Sequence, residues 1–316
     1  MCGGLTIYHV KVLIIKLGAL GDVVMSAPLV DRILASHDDA ECWMLTAPVF
    51  AEFYAAWETL EVKTMARHGM RAFFDSLGWI RRQGFDRLYD LQSSNRTGVL
   101  CALAGVSERV GNHPRFPYTH HPETIYTRQT HIFERMNTVL QSAGLAPAAA
   151  QPHIPVSGTN QQRVSAWLNE RGLRGQSIVL LHAGASAGRP EKRWPHFSDL
   201  ATRLKAAGHV PVWIGAGPDS AINARLAQDC GIDATDAFNI VELVALGRNS
   251  AFAVTNDSGP MHILSAAGLP VFAFFGPSDW RRNHALGQEQ RVFSNPDLAA
   301  ITVDSVVERL RAEKLL

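Results

Sequence analysis

An α/β chain of two Rossmann-like domains facing each other across a cleft is predicted by three observations. Short apolar runs alternate with longer amphipathic ones, the pattern of buried parallel strands joined by helical crossovers. The alternation restarts in the second half, where Ile178–Gly184 repeats what Lys11–Asp22 does in the first: an apolar strand runs into a glycine-bearing turn. At 316 residues the chain is also long for one hydrophobic core, which favours two domains of about 150 residues each.

The predicted strands, in order, are Val10–Lys16, Cys42–Thr46, Arg87–Leu91, Arg109–Gly111, Ile178–His182, Val210–Ile214, Ala251–Thr255 and Val271–Phe275. Helical periodicity marks Ala72–Arg82, Phe133–Ser142, Gln161–Arg171, His196–Ala207, Ala221–Cys230, Ile240–Gly247 and Ser305–Glu313. The interval Ala146–Gly158 is rich in Ala and Pro, lacks periodicity and reads as a linker. The expected domains are therefore 1–152 and 158–300, with a last helix at 301–316 whose docking the pattern does not fix. Ligands of such sheets bind beyond the carboxyl ends of the strands, so the expected site is the cleft between the domains.

Composition narrows the function. Hydrophobic residues make up 47%, charged residues 19%, and the formal net charge is +1. That excludes a disordered chain, a coiled coil or a strongly basic nucleic-acid binder, so no nucleic-acid partner is expected. The cysteines Cys2, Cys42, Cys101 and Cys230 are scattered without a CxxC, as cytosolic free thiols are. The segment MCGGLTIYHVK lacks the layout of a signal peptide, and no apolar run reaches the roughly 18 residues that span a bilayer. A cytoplasmic protein is expected, compatible with work at a membrane surface. The histidines are mostly isolated, His120-His121 lack partners at ligand spacing, and neither HExxH nor DxD occurs. No metal is expected.

The segment Asn256-Asp257-Ser258-Gly259-Pro260-Met261-His262 follows a strand-like run and opens a helix-like one. Unpaired amides and the positive dipole end make such a junction an anion site suited to phosphate. Asp257 or Ser258 can cap the helix, Pro260 fits its first turn, and His262 lies one turn in. The bland alternative is a well-capped helix with a surface histidine.

The first turn, Lys16 to Asp22, is not a dinucleotide fingerprint, because Lys16 stands where a glycine is needed and no acidic residue ends the next strand. A nicotinamide dehydrogenase is disfavoured on that ground, and there is no Walker A sequence. The turn offers Asp22, held by Gly18 and Gly21. Burial there would raise its pKa and suit it to general-base work, whereas the alternative is a helix cap. The small residues of His182–Gly188 let a backbone approach a ligand closely. Lys192, before Trp194 and Pro195, suits a phosphate, or forms half of a solvated basic pair. Gly215 to Asp219 closes the next strand, with Asp219 either bonding a ribose hydroxyl or capping the helix near Ala221.

Taken in order, KLGALGD (16–22), DLQSSNRTG (90–98), KRWP (192–195), IGAGPD (214–219), NDSGPMH (256–262) and FFGPSD (274–279) resemble the glycosyltransferase family 9 heptosyltransferases of lipopolysaccharide core assembly. The resemblance implies a two-domain GT-B enzyme that binds its acceptor in the N-terminal domain and its nucleotide-sugar donor, usually ADP-heptose, in the C-terminal one. It casts Asp22 as the base and Lys192 as a diphosphate contact. Asp257, Ser258, Gly259 and His262 would form the diphosphate and sugar site, joined by Ser186, Gly215 and, at the ribose, Asp219. Gly18, Gly21 and Arg96 fall on the acceptor side.

The implied reaction is inverting transfer of heptose from ADP-heptose to a lipopolysaccharide inner-core acceptor, with no cofactor beyond the donor and with room for peripheral inner-membrane contact. A family 9 transferase with another sugar or acceptor, and an inactive nucleotide-sugar-binding protein, remain the alternatives. Arg67, Arg71, Arg81, Arg82, Arg96, Arg109 and Arg115 could meet acceptor carboxylates or phosphates, or simply be solvated. Tyr54, Trp57, Phe73 and Phe74 could rim the acceptor groove, although apolar packing suits most of them better.

Overall fold

A computed structural model of the chain describes residues 10–112, 116–124, 130–185 and 188–316. Its contacts divide into one unit ending at Ala149 and another beginning at Ala150.

The first unit carries five strands, β1 (Lys11–Lys16), β2 (Glu41–Thr46), β3 (Leu60–Thr64), β4 (Arg87–Asp90) and β5 (Glu108–Gly111). Its helices are α1 (Leu20–Met25), α2 (Ala27–Ser36), α3 (Ala51–Tyr54), α4 (Met70–Gln83), α5 (Asn95–Leu103) and α6 (Ile132–Ser142). All neighbouring strands are parallel, in the order β3-β2-β1-β4-β5. Branched aliphatic residues fill the central strand, where Val12, Leu13, Ile14 and Ile15 are fully buried, as a strand covered on both faces requires.

The second unit carries β6 (Ile178–His182), β7 (Val210–Gly215), β8 (Ile232–Thr235), β9 (Phe252–Asn256), β10 (Val271–Phe275) and β11 (Val292–Ser294). Its helices are α7 (Gly158–Glu170), α8 (Phe197–Ala206), α9 (Ser220–Asp229), α10 (Ile240–Gly247), α11 (Gly259–Ala266), α12 (Trp280–Asn283) and α13 (Val303–Ala312). The sheet is again parallel, ordered β11-β10-β9-β6-β7-β8. Both orders reverse direction beside the first strand of their unit, between β1 and β4 and between β6 and β9. Such a switch point opens a crevice at the carboxyl ends of the strands, where ligands of doubly wound sheets bind.

Three strands that apolar runs do not reveal, β3, β8 and β11, are all sheet edges. An edge strand is solvated along one side, so Glu61, Lys63 and Asp233 can interrupt its pattern. Within the interval that reads as a linker, Ile154 is fully buried and its carbonyl accepts from Arg248 Nη2 at 2.7 Å. The last helix docks through Val306, Val307 and Leu310 into the apolar cluster holding Phe197, Leu200 and Leu204 of α8. Cys42, Cys101 and Cys230 are buried free thiols. No helix among the described residues is long and apolar enough to cross a membrane.

One aromatic anchors the second core. Trp194 is 2% exposed, stacks on Phe274 with ring centroids 4.2 Å apart, and donates from Nε1 to Ile301 O at 2.8 Å. Its substitution by Ala should destabilise the chain by about 3–5 kcal/mol through the cavity it leaves, read as a lowered urea midpoint with an unchanged slope.

Candidate functional site

At the switch point of the first unit, each central strand ends its apolar run in one ionisable residue. Lys16 closes β1 and Asp90 closes β4, and both are buried. Lys16 Nζ donates to Leu91 O at 3.1 Å and lies 3.8 Å from Asp22 Oδ2. Burial pulls the ammonium's pKa below its usual value, against the opposing pull of the Asp22 and Asp90 carboxylates. Burial likewise pushes Asp90 up, while Tyr118, Ser93, Thr97 and Gln92 hydrogen-bond to it and oppose the rise.

The turn that carries Asp22 is fixed by Gln92, whose Oε1 accepts from Leu17 N at 2.9 Å and Gly18 N at 3.1 Å. Gly18 adopts φ +136°, beside Phe50 and the Arg67 guanidinium, a conformation that excludes most other residues. Gly21 lies within α1. Asp22 sits in the first turn of α1 but caps nothing, since Ala19 holds the N-cap position. The burial expected at Asp22 falls on Lys16 instead, because Asp22 projects from the helix and its side chain keeps 29% exposure. The carboxylate is thus accessible and backed by a buried cation.

Beyond β4 and β5, Ser94, Asn95, Asn112, Phe116 and Tyr118 line part of a cavity of about 370 Å³. Among the candidate arginines, Arg96 donates to Gly69 O at 2.6 Å and stacks on Phe73, while Arg109 is spent on the carbonyls of Val106 and Pro117. Arg71 pairs with Asp75, and Arg115 lies outside the described residues. Tyr54, Trp57 and Phe73 are core residues, whereas Phe74 is 56% exposed.

The second unit gathers Lys192, Gly215, Asp219, Asp257, Ser258, Gly259 and His262 at the ends of β6, β7 and β9 and their following turns. Asn256, at the end of β9, ties together both ends of the connection between β6 and α8. Its Oδ1 accepts from Trp194 N at 3.0 Å, and its Nδ2 donates to Ala183 O at 3.0 Å and Gly184 O at 2.9 Å. Lys192, at the end of the 3-10 turn Pro190–Lys192, donates to Asp257 Oδ2 at 2.6 Å, and Asn283 Nδ2 donates to Asp257 Oδ1 at 3.1 Å. Asp257 therefore holds the cation in place. Ser186 lies outside the described residues.

Ser258 takes the N-cap position of α11, yet its side chain makes no cap bond; it meets His182 Nδ1 at 3.0 Å. His182 Nε2 is 3.5 Å from Asp219 Oδ2. Asp219 is 7% exposed and turned inward, and a Cβ on Gly184 would come within 2.0 Å of its Oδ1. Its carboxylate faces His182 and Ala216 N rather than solvent. Among the described residues no group of three or more His, Cys, Asp or Glu is placed to hold a metal.

Sequence reasoning passes over Lys16, Asp90, Gln92, His182 and Asn256 as site residues, although all lie in the quoted segments. The usable signal is a single polar residue ending an otherwise apolar buried strand.

Burial would raise Asp219, but the His182 hydrogen bond and charge, the Ala216 amide and Arg193 outweigh it and hold the carboxyl below 3.8. The folded pKa is depressed, so this stabilisation is present above 3.8 and is lost as pH falls through the folded value. Asp219→Asn should therefore destabilise the chain at pH 7, with the gap to wild type closing in acid. Urea midpoints between pH 7 and pH 2.5 check this, and a constant gap would refute the electrostatic role.

The family model for glycosyltransferase family 9 (heptosyltransferase) matches residues 55–308. The chain is 27% identical over 138 residues, 40% of this chain and 40% of the other, to lipooligosaccharide heptosyltransferase 2 of Haemophilus influenzae. It is 24% identical over 306 residues, covering 89% of this chain and 87% of the other, to lipopolysaccharide heptosyltransferase 2 of Escherichia coli. The solved structure of E. coli ADP-heptose lipopolysaccharide heptosyltransferase II superposes with a TM-score of 0.79 at 22% identity, over 96% of this chain and 98% of that one. Two parallel α/β units, both switch-point sites and a family match across most of the chain lead to one assignment: this chain is a member of glycosyltransferase family 9, the heptosyltransferases.

Proposed function

We propose that the chain transfers heptose from ADP-heptose to an inner-core lipopolysaccharide acceptor, with inversion at the anomeric carbon. The observations that carry this reading are an accessible carboxylate, Asp22, at the switch point of the first unit and, at that of the second, a lysine held by Asp257 beside the start of a helix. Asp22 takes the proton of the acceptor hydroxyl as its oxygen attacks the anomeric carbon. The bond from that carbon to the ADP oxygen breaks on the opposite face.

Negative charge grows on the departing diphosphate. Lys192, held by Asp257, and the backbone at Ser258 and Gly259, where α11 begins, meet it, with Gly259 allowing close approach. Each such donor contributes about 3–4 kcal/mol of transition-state stabilisation in comparable sites. The reading requires no divalent ion. Asp219 acts here through His182 and not as a ribose contact, and Gly215 leaves room for its side chain.

The first unit takes the acceptor. Gly18 and Gly21 shape the turn, Arg67 stands beside Gly18, and Arg96 borders the same region through Gly69. All the large exposed apolar side chains among the described residues, including Val49, Met70, Phe74 and Phe116, belong to this unit. They support peripheral contact with the inner-membrane surface by a cytoplasmic enzyme whose acceptor is a lipid.

Asp22→Asn should lower turnover by about 10²–10⁴-fold while leaving the Kd for ADP within about twofold, since the carboxylate lies outside the nucleotide site. Retained turnover would remove Asp22 from the mechanism. Lys192→Gln keeps a hydrogen bond to Asp257 but removes the charge, and should weaken ADP binding by about 1.5–3 kcal/mol, or roughly ten- to a hundredfold. Titration calorimetry with ADP, UDP and GDP reads both variants, and a wild-type preference for UDP or GDP would point to another donor.

A further inference from the structure

Resting on the reading of the first unit as the acceptor side, we propose that the cavity beyond β4 and β5 is a subsite for an uncharged sugar ring of the acceptor. Asn112 and Asn95 bind its hydroxyls, and Phe116 covers its apolar face.

Three segments build the walls. Ser94 and Asn95 follow β4, and Asn112 follows β5. Asn95, Gly98, Val99 and Ala102 of α5 line the cavity together, a spacing that sets them on one helical face. The small residues at 98 and 102 leave that side open. Tyr118 forms a further wall and is fixed twice. Its hydroxyl donates to the buried Asp90 carboxylate, and its ring lies against Gly111, where a Cβ would come 2.3 Å from Tyr118 Cε1. The cavity is therefore preformed. Its volume of about 370 Å³ falls at the low end of the range of about 300–1,000 Å³ for ligand pockets, which suits a sugar ring.

The chemistry of the lining selects the ligand. Asn112 Oδ1 is buried and has no hydrogen-bond partner among the described residues. A buried amide oxygen left without a donor is costly, and a ligand that brings a donor removes that cost. A sugar hydroxyl is such a donor. A phosphate dianion or a carboxylate only accepts, so it would meet Asn112 Oδ1 oxygen to oxygen. The described lining carries no charged side chain, and the group bonded to Tyr118 from behind is a carboxylate, which disfavours an anion further. The serine hydroxyls are already engaged, Ser93 with Asp90 O at 3.2 Å and Ser94 with Thr97 Oγ1 at 3.0 Å, which leaves the amides for the ligand. Phe116 lines the cavity while 76% exposed, and its ring offers a surface for the C–H face of a pyranose. A purely apolar ligand would leave Asn112 unmet, and a purely polar one would leave Phe116 bare.

The test uses the full chain in two ways. Methyl α-D-mannopyranoside, methyl α-D-glucuronide and inorganic phosphate are titrated by NMR, and turnover is measured with ADP-heptose and truncated inner-core lipopolysaccharide. The mannoside should shift the Asn112 side-chain amide and bind more tightly than the other two probes. Asn112→Leu keeps a branched side chain but removes the acceptor. It should weaken the mannoside and raise KM for the lipopolysaccharide by about three- to tenfold, with kcat and the Kd for ADP within about twofold. Ala102→Trp fills the cavity and should raise that KM at least as much. If it does not fold, Val99→Trp narrows the opening from an exposed position. Tighter binding of the glucuronide or phosphate, or an unchanged KM in the filled variant, would overturn the proposal and leave the transfer reading standing. A wild-type chain that transfers nothing from ADP-heptose would overturn that reading, while loss of mannoside binding in Asn112→Leu would still support the sugar site.

Discussion

The second unit of this protein depends on one buried side chain, the amide of Asn256. Its oxygen takes the amide of Trp194, and its nitrogen gives both protons to the carbonyls of Ala183 and Gly184. Each bond is worth about 1 kcal/mol net, but leaving any of those buried groups unmade costs about 1–3 kcal/mol. The arrangement therefore resists loosening more than its net energy suggests. Fixing Trp194 fixes the turn that presents Lys192, and fixing Gly184 sets the wall against which Asp219 packs. The two residues that follow Asn256 in the chain supply the partner of Lys192 and the N-cap of α11.

The first unit uses the same device with reversed polarity. Gln92, just beyond β4, accepts from the amides of Leu17 and Gly18 in the turn after β1. In both units an amide side chain reaches across the switch point and holds the backbone of the turn after the unit's first strand. Parallel topology accounts for this. At the reversal the loops from adjacent strands leave toward opposite faces, and the crevice between them exposes backbone groups that need partners. A short amide side chain supplies them without introducing a charge. The ionisable residues close by then take on complementary tasks: Lys16 backs the accessible Asp22, and Asp257 holds Lys192.

Much of this architecture is legible in the sequence, and the gaps have physical causes. Every strand buried on both faces reads as an apolar run, whereas β3, β8 and β11 do not, because a sheet edge tolerates Glu61, Lys63 or Asp233. Motif reading places Lys192, Asp219, Asp257 and Ser258 in one neighbourhood, and the structure brings them together. It does not foresee that Asp257 serves Lys192, that Asp219 turns inward to His182, or that the Ser258 side chain meets His182 instead of capping its helix. Those roles depend on which side chain wins a contested hydrogen bond, and spacing along the chain carries no information about that contest. The same limit hides Gln92 and Asn256, whose partners are backbone groups distant in sequence.

We propose that the turns of the second unit hold the nucleotide. Hydrogen–deuterium exchange of the intact chain with and without ADP tests it most directly, since bound phosphate slows exchange of the amides it contacts. New protection is expected from Asp257 to His262 and around Lys192, with the turns at 17–22 and 92–98 unchanged. Protection confined to those first-unit turns would contradict it.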